Sequence, residues 1–185
     1  MISIFGIILT CLLLLSTTKY QRHKPAHSKA FDKKTLAKLF SQSQLWWITL
    51  FNLFIWAPIS IFAAFWGIPF LKVLTHTTTF HAANLIAFIW IGTAIGGPIL
   101  GYMSYKLQSR KKPMIIASLL GIVSASCIIY FHFQSDSILI IALFLFGVGS
   151  SAQGISFALL SDTQATHHLA TTSGVVNMGT VMGGV

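Results

Sequence analysis

The sequence predicts an all-α integral membrane protein with about six transmembrane helices, the last of them incomplete. Three observations carry that prediction. Of 185 residues, 55% are apolar and only 8% are charged, against about 25% charged in an ordinary soluble domain. Such a chain cannot cover a water-facing surface with charge. The apolar residues also fall in blocks as long as a bilayer crossing, which takes about 20 residues of helix. Finally, the basic residues are grouped: of 12 Lys+Arg, seven lie from Lys19 to Lys38, four lie from Lys106 to Lys112, and Lys72 stands apart.

The acids are Asp32, Asp136 and Asp162, with no Glu, so the formal net charge is +9. Basic residues gathered in alternate loops are what membrane insertion produces. A nucleic-acid-binding protein would instead carry a basic face on a soluble element, so nucleic acid is not expected as a partner; the lipid bilayer is. Cys11 and Cys127 both sit in apolar stretches and form no spacing pattern, which indicates neither a disulfide framework nor a metal site. No cofactor is expected.

Residues 1–18 form a first, short span. They lack the basic flank and small-residue cleavage site of a signal peptide. Residues 19–45 are a basic loop, and Phe31–Phe40 within it places Leu36, Leu39 and Phe40 on one side of a helix and Lys33, Lys34 and Lys38 on another. Asp32 is suited to cap that helix, which then lies along the membrane surface; a solvated linker is the alternative. The remaining chain, 46–185, reads as spans 46–71, 82–105, 113–131, 137–161 and 171–185. Trp46 and Trp47 open the second span as interfacial anchors, while Pro58 and Gly67-Ile68-Pro69 bend or end it. The third contains Gly92-xxx-Gly96 and Gly97-xxx-Gly101, spacings that let helix backbones approach closely. The fifth carries small residues at Gly147, Ser150, Ser151, Gly154 and Ala158.

Charge asymmetry sets the orientation. With loops 19–45 and 106–112 cytoplasmic, eleven basic residues lie inside and Lys72 outside, in accord with the positive-inside rule. Asp162–Ala170 is then inside as well.

No Asp, Glu, Lys or Arg stands in the middle of a span, although such residues usually mark proton coupling or charged solutes. The polar candidates within spans are Asn52, Gln153 and Asn177, with Trp56 four residues from Asn52 on the same helix face. Each amide can contact a solute or simply tie helices together. His167 and His168 are adjacent, so on a helix they point about 100° apart and suit no common metal. No nucleophile–base pair appears, and an enzyme is not expected.

Residues Gly97-Pro98-Ile99-Leu100-Gly101-Tyr102-Met103-Ser104-Tyr105-Lys106-Leu107-Gln108-Ser109-Arg110-Lys111 resemble the signature loop of the major facilitator superfamily, whose usual form is close to G-P-x-x-G-x-x-S-D-R-x-G-R-R. Two stretches add to the resemblance: Phe62 to Leu71 is similar to the outer end of the family's seventh helix, and Ser161-Asp162 with Thr171 to Asn177 is similar to the connection between its tenth and eleventh helices. Order and sidedness align the chain with the carboxy-terminal half of such a transporter, and they imply a truncated member.

The resemblance implies transport of a small-molecule solute by alternating access, secondary active or facilitative, in the cell inner (plasma) membrane. It implies a pathway completed by a missing amino-terminal half or a second copy, since family sites lie between two rocking halves. Asn52, Trp56, Gln153 and Asn177 are then the candidate solute contacts. Gly97, Gly101, Ser104, Lys106, Arg110 and Asp162 form the cytoplasmic gating loop, in which one of the cations meets a helix carboxy terminus or Asp162. The alternative is a non-transporting remnant or scaffold that packs against partner helices. The chain departs from the pattern at Tyr105, Gln108 and Ser109, where the family has its carboxylate, glycine and first arginine. Loss of the carboxylate at Tyr105 implies that the electrostatic latch is weakened or lost.

Overall fold

A computed structural model describes residues 33–131, 133, 135–165 and 168–184. The expected first span, Asp32 and His167 lie outside the described residues. The chain divides into two units, Met1–Ala37 and Lys38–Val185. Among the described residues all regular structure is helical.

Helix α1 (Lys33–Phe40) starts in the first unit and ends in the second. In the second unit its last carbonyls turn the chain into α2 (Ser43–Ile59): Trp46 Nε1 donates to the Phe40 carbonyl at 2.7 Å. Trp47 at the same end is 70% exposed, as an interfacial indole requires. From α2 the rod continues through a π-helical segment, Ser60–Trp66, into α3 (Gly67–Thr75). The π segment lies between Pro58 and Pro69. Proline removes a backbone donor and its ring collides with the carbonyl four residues earlier. Across the widened turns the Gly67 N–H bonds to Phe62 O, five residues back. Ser43 to Thr75 therefore stays one rod of 33 residues despite two prolines.

His76, with φ of 51°, closes the rod in the left-handed region, and Thr78 caps α4 (Thr79–Lys106) by accepting from the His81 N–H. A tight turn leads to α5 (Lys111–Tyr130). Ser135 caps α6 (Asp136–Ser150), with Asp136 in the first turn, where the helix dipole favours an acid. Ser151 and Ala152 interrupt the rod before α7 (Gln153–Thr163). Ser150 and Ser151 donate to the Phe146 and Val148 carbonyls, the serine back-bonding that bends helices. Last comes α8 (Leu169–Met182). Among the described residues, four rods are long and apolar enough to cross a membrane: Ser43–Thr75, Thr79–Lys106, Lys111–Tyr130 and Asp136–Thr163. At 14 residues α8 is shorter than a crossing.

Packing centres on α6, which lies between α4 and α5. A Cβ added to Gly92 would strike the Phe144 carbonyl, one on Gly147 would strike the Ile89 carbonyl, and one on Gly96 would sit 2.8 Å from Val148 Cα. The opposite side of α6 presents Gly149, whose added Cβ would lie 2.7 Å from Gly121 Cα on α5. A second close seam joins α2 to α8, where Gly179 abuts Thr49 and Gly183 abuts the Leu53 carbonyl. Leu71, Leu85, Ile89, Leu139 and Leu143 fill the space between α3, α4 and α6, while Leu45, Ile48, Leu160 and Val176 fill that between α2, α7 and α8. Outward, α5 exposes Ile115, Leu119, Ile122, Val123 and Ile129, a lipid-facing surface.

The expectation that Gly97-xxx-Gly101 also packs a helix is not met within this chain. An added Cβ at either glycine meets nothing within 4 Å, because the contact with α6 uses the Gly92 and Gly96 face. The two glycine sets should therefore respond oppositely to substitution. Gly147→Leu is expected to destabilise the bundle by more than about 3 kcal/mol, since backbone must move. Gly97→Ala should leave stability unchanged or raise it by up to about 1 kcal/mol, both read as melting temperature in detergent micelles.

Candidate functional site

The break between α6 and α7 brings uncharged polar groups together against α2 and α8. Asn52, on α2, is fully buried. Its Nδ2 donates to the Ile48 carbonyl at 3.0 Å and to Ser156 Oγ at 2.5 Å. The Ser156 hydroxyl donates to the Gln153 carbonyl at 2.6 Å. Gln153, at the start of α7, reaches across to α8 with Nε2 3.4 Å from Thr180 Oγ1. Asn52 Oδ1 is buried with no hydrogen-bond partner among the described residues. An orphaned acceptor of this kind is worth about 1–3 kcal/mol of lost stability, which weakens the polar part of the contact between α2, α7 and α8.

Two sequence candidates thus come together, Asn52 and Gln153, bridged by Ser156. The other two do not join them. Trp56 packs against the apolar cluster around Ile59, Leu85 and Phe146. Asn177 is exposed on α8. Ser156 and Thr180 went unnoticed in the sequence because hydroxyls inside apolar helices usually serve their own backbone. The only signal available was the Gly179-xxx-Gly183 spacing, which marks the α8 face that meets α2.

Beside this seam, α2, α5 and α6 enclose an open groove of about 220 Å³ lined by Phe51, Phe54, Ile55, Ile122 and Phe146, with Ser118 and Ser150 its hydroxyls. Both hydroxyls donate to their own helices, at Met114 and Phe146.

Of the gating-loop candidates, Ser104, Arg110 and Asp162 meet at the end of the bundle where α4 and α7 end and α5 begins, while Gly97 and Gly101 lie further along α4. Arg110 Nε donates to Asp162 Oδ2 at 2.8 Å, and Arg110 Nη1 donates to Ser104 Oγ at 3.1 Å. One guanidinium therefore ties the α4–α5 turn to the end of α7. Tyr105 is 72% exposed and holds no charge; the carboxylate that meets Arg110 is Asp162, from another helix. With both side chains more than a third exposed, the pair contributes at most about 1 kcal/mol. Lys106, Lys111 and Lys112 stand exposed around it. Near this clamp, Gln42 Oε1 accepts from Gln164 Nε2 at 2.8 Å, tying the start of α2 to the end of α7. At the opposite end, His81 Nε2 lies 2.9 Å from Asp136 Oδ2 and joins the starts of α4 and α6.

The turn that aims Arg110 depends on Gln108, with φ of 46°. That is the left-handed region, which carries a penalty of about 1–2 kcal/mol for a residue with a Cβ. The side chain offsets part of it by donating from Nε2 to the Tyr105 carbonyl at 2.8 Å. Gln108 stands where the signature loop has glycine, and the backbone conformation is the reason for that glycine. Gln108→Gly is accordingly expected to raise stability by up to about 1 kcal/mol. Asn52→Leu, which removes the orphaned oxygen at similar volume, is expected to raise the melting temperature, whereas Asn52→Asp should lower it; thermal unfolding in micelles reads all three.

Comparison with curated proteins finds no match, and neither does comparison with solved structures. The family model described as "Major Facilitator Superfamily" matches residues 1–185. With long apolar helices crossing a bilayer and a signature turn closed by Arg110 and Asp162, the chain belongs to the Major Facilitator Superfamily and is a multi-pass membrane protein of transporter type.

Proposed function

We propose that this chain forms one helical wall of a solute pathway in the cell inner (plasma) membrane and moves a small solute by alternating access, either facilitative or secondary active. The observation that carries this reading is the Arg110 clamp on Asp162 and Ser104. It spans two helix ends and a turn, and it is weak enough to open and close. In this reading the end bearing Lys106, Lys111 and Lys112 faces the cytoplasm. The clamp, with Gly97, Gly101 and Ser104 on the adjoining stretch of α4, closes the pathway there.

Asn52 and Gln153 are the solute contacts on this wall. Trp56 and Asn177 border them and meet the solute only as the wall changes shape. The second wall is a partner amino-terminal half or a second copy. Support comes from the glycines at 97, 101, 154 and 174, each with open space where a Cβ would stand, which allows another helix backbone to come close.

The test is uptake by proteoliposomes holding the purified chain, offered a uniformly ¹³C-labelled extract of small metabolites and analysed by mass spectrometry of the lumen. At least one labelled compound should accumulate above protein-free vesicles. Asp162→Arg should slow its entry by about fivefold, the rate equivalent of about 1 kcal/mol, and adding Arg110→Asp should restore it. If no compound enters, the chain packs helices and does not transport.

A further inference from the structure

We infer that the solute handled at the seam of α2, α7 and α8 is an uncharged molecule recognised through the hydrogen-bond donors it carries; this rests on the transport reading above. The donors and acceptors of the seam can be followed one by one. Thr49 Oγ1 donates to the Leu45 carbonyl, Ser156 Oγ to the Gln153 carbonyl and Thr180 Oγ1 to the Val176 carbonyl. Both amide nitrogens are engaged as well, Asn52 Nδ2 by Ile48 O and Ser156 Oγ, Gln153 Nε2 by Thr180 Oγ1.

The amide orientations follow from the same bonds. Ile48 O can only accept, so the nitrogen of Asn52 must face it. Thr180 already donates to its own helix, so Gln153 must offer it a donor. Two amide oxygens remain, Asn52 Oδ1, buried and unpartnered, and Gln153 Oε1. Apart from the second N–H of Gln153 Nε2, every side-chain donor of the seam is in use, and most of what it has left to offer is oxygen lone pairs. The groove flanking Asn52 at Phe51 and Ile55 repeats the pattern, since Ser118 and Ser150 also donate inward to their helices.

That polarity selects a ligand. A carboxylate or phosphate needs a cation or several donors, and the seam has one spare amide N–H and no charge. A cation needs a compensating carboxylate in a low-dielectric site. The nearest described acids in the chain, Asp136 and Asp162, lie at helix ends and already pair with His81 and Arg110. A neutral solute bearing several O–H or N–H groups matches lone pairs without a charge to neutralise. Asn52 Oδ1, hidden in this state, becomes available as α2 parts from α7, so the solute gains its strongest new bond when the seam opens.

The test measures binding and leaves transport to the vesicle assay. The purified chain in micelles is titrated with the neutral polyols erythritol, xylitol and sorbitol and with glucose, and with charged or blocked counterparts, gluconate, glucosamine and permethylated glucose. The rise in melting temperature with ligand concentration gives the affinity. At least one neutral probe should bind, the charged and permethylated ones at least tenfold more weakly. Asn52→Leu should weaken the neutral probe at least tenfold without lowering the melting temperature of the ligand-free chain. Gln153→Leu gives the same reading should Asn52→Leu lose the fold.

Tighter binding of gluconate or glucosamine, or retained binding of permethylated glucose, overturns the inferred class. In that case the transport reading stands. The class is likewise overturned, and transport retained, if no probe binds but the labelled extract still enters vesicles. Absence of both binding and entry overturns both.

Discussion

The backbone contact between α4 and α6 sets the position of everything else. In lipid, apolar side chains gain little by leaving one hydrocarbon for another, so helices associate through close packing and interhelical hydrogen bonds. Gly92, Gly96 and Gly147 remove the side chains that would hold the two helices apart, and Thr93 Oγ1 bonds across the gap to the Gly147 carbonyl at 3.2 Å. Gly147 and Gly149 are two residues apart and so point about 200° apart on the helix. That angle places α4 and α5 on opposite sides of α6 and makes α6 the post of the bundle.

The long rods change partners along their length, and each breaks where it does so. In one rod, α6 packs chiefly on α4 and α5, whereas its continuation α7 keeps a contact with α4 and gains α8, with α2 touching both parts. The other rod has α2 on α8 and α3 on α4. Its interruption is the π segment between Pro58 and Pro69, and that of the first is the serine pair at Ser150 and Ser151. One group of helices is thus apolar and glycine-tight. The other packs α2 on α8 at Gly179 and Gly183 and adds a polar contact through Asn52, Ser156, Gln153 and Thr180, with one acceptor left over among the described residues. A seam that is incompletely satisfied is the part of a bundle most easily remodelled, since little is lost when it rearranges.

The clamp at the loop end follows from a similar substitution of parts. Tyr105 and Gln108 depart from the family's loop, yet the turn is kept by a left-handed glutamine whose side chain closes the helix end. Arg110 then turns back onto Ser104 and across to Asp162. The carboxylate comes from a helix distant in sequence.

Membrane class, the helical spans and the family were legible in the sequence, because each depends on local composition: apolar length answers to bilayer thickness, and the signature loop is contiguous. Asn52 and Gln153 were also visible, as amides conspicuous in apolar helices. Tertiary structure alone decided their partners. The bond from Asn52 to Ser156 spans 104 residues and that from Arg110 to Asp162 spans 52; nothing local distinguishes Ser156 from other membrane serines. It also decided which glycines pack. Gly92-xxx-Gly96 and Gly97-xxx-Gly101 share one spacing in one helix, and only the direction each face takes relative to α6 separates them. Spacing is a property of one helix, whereas contact requires two.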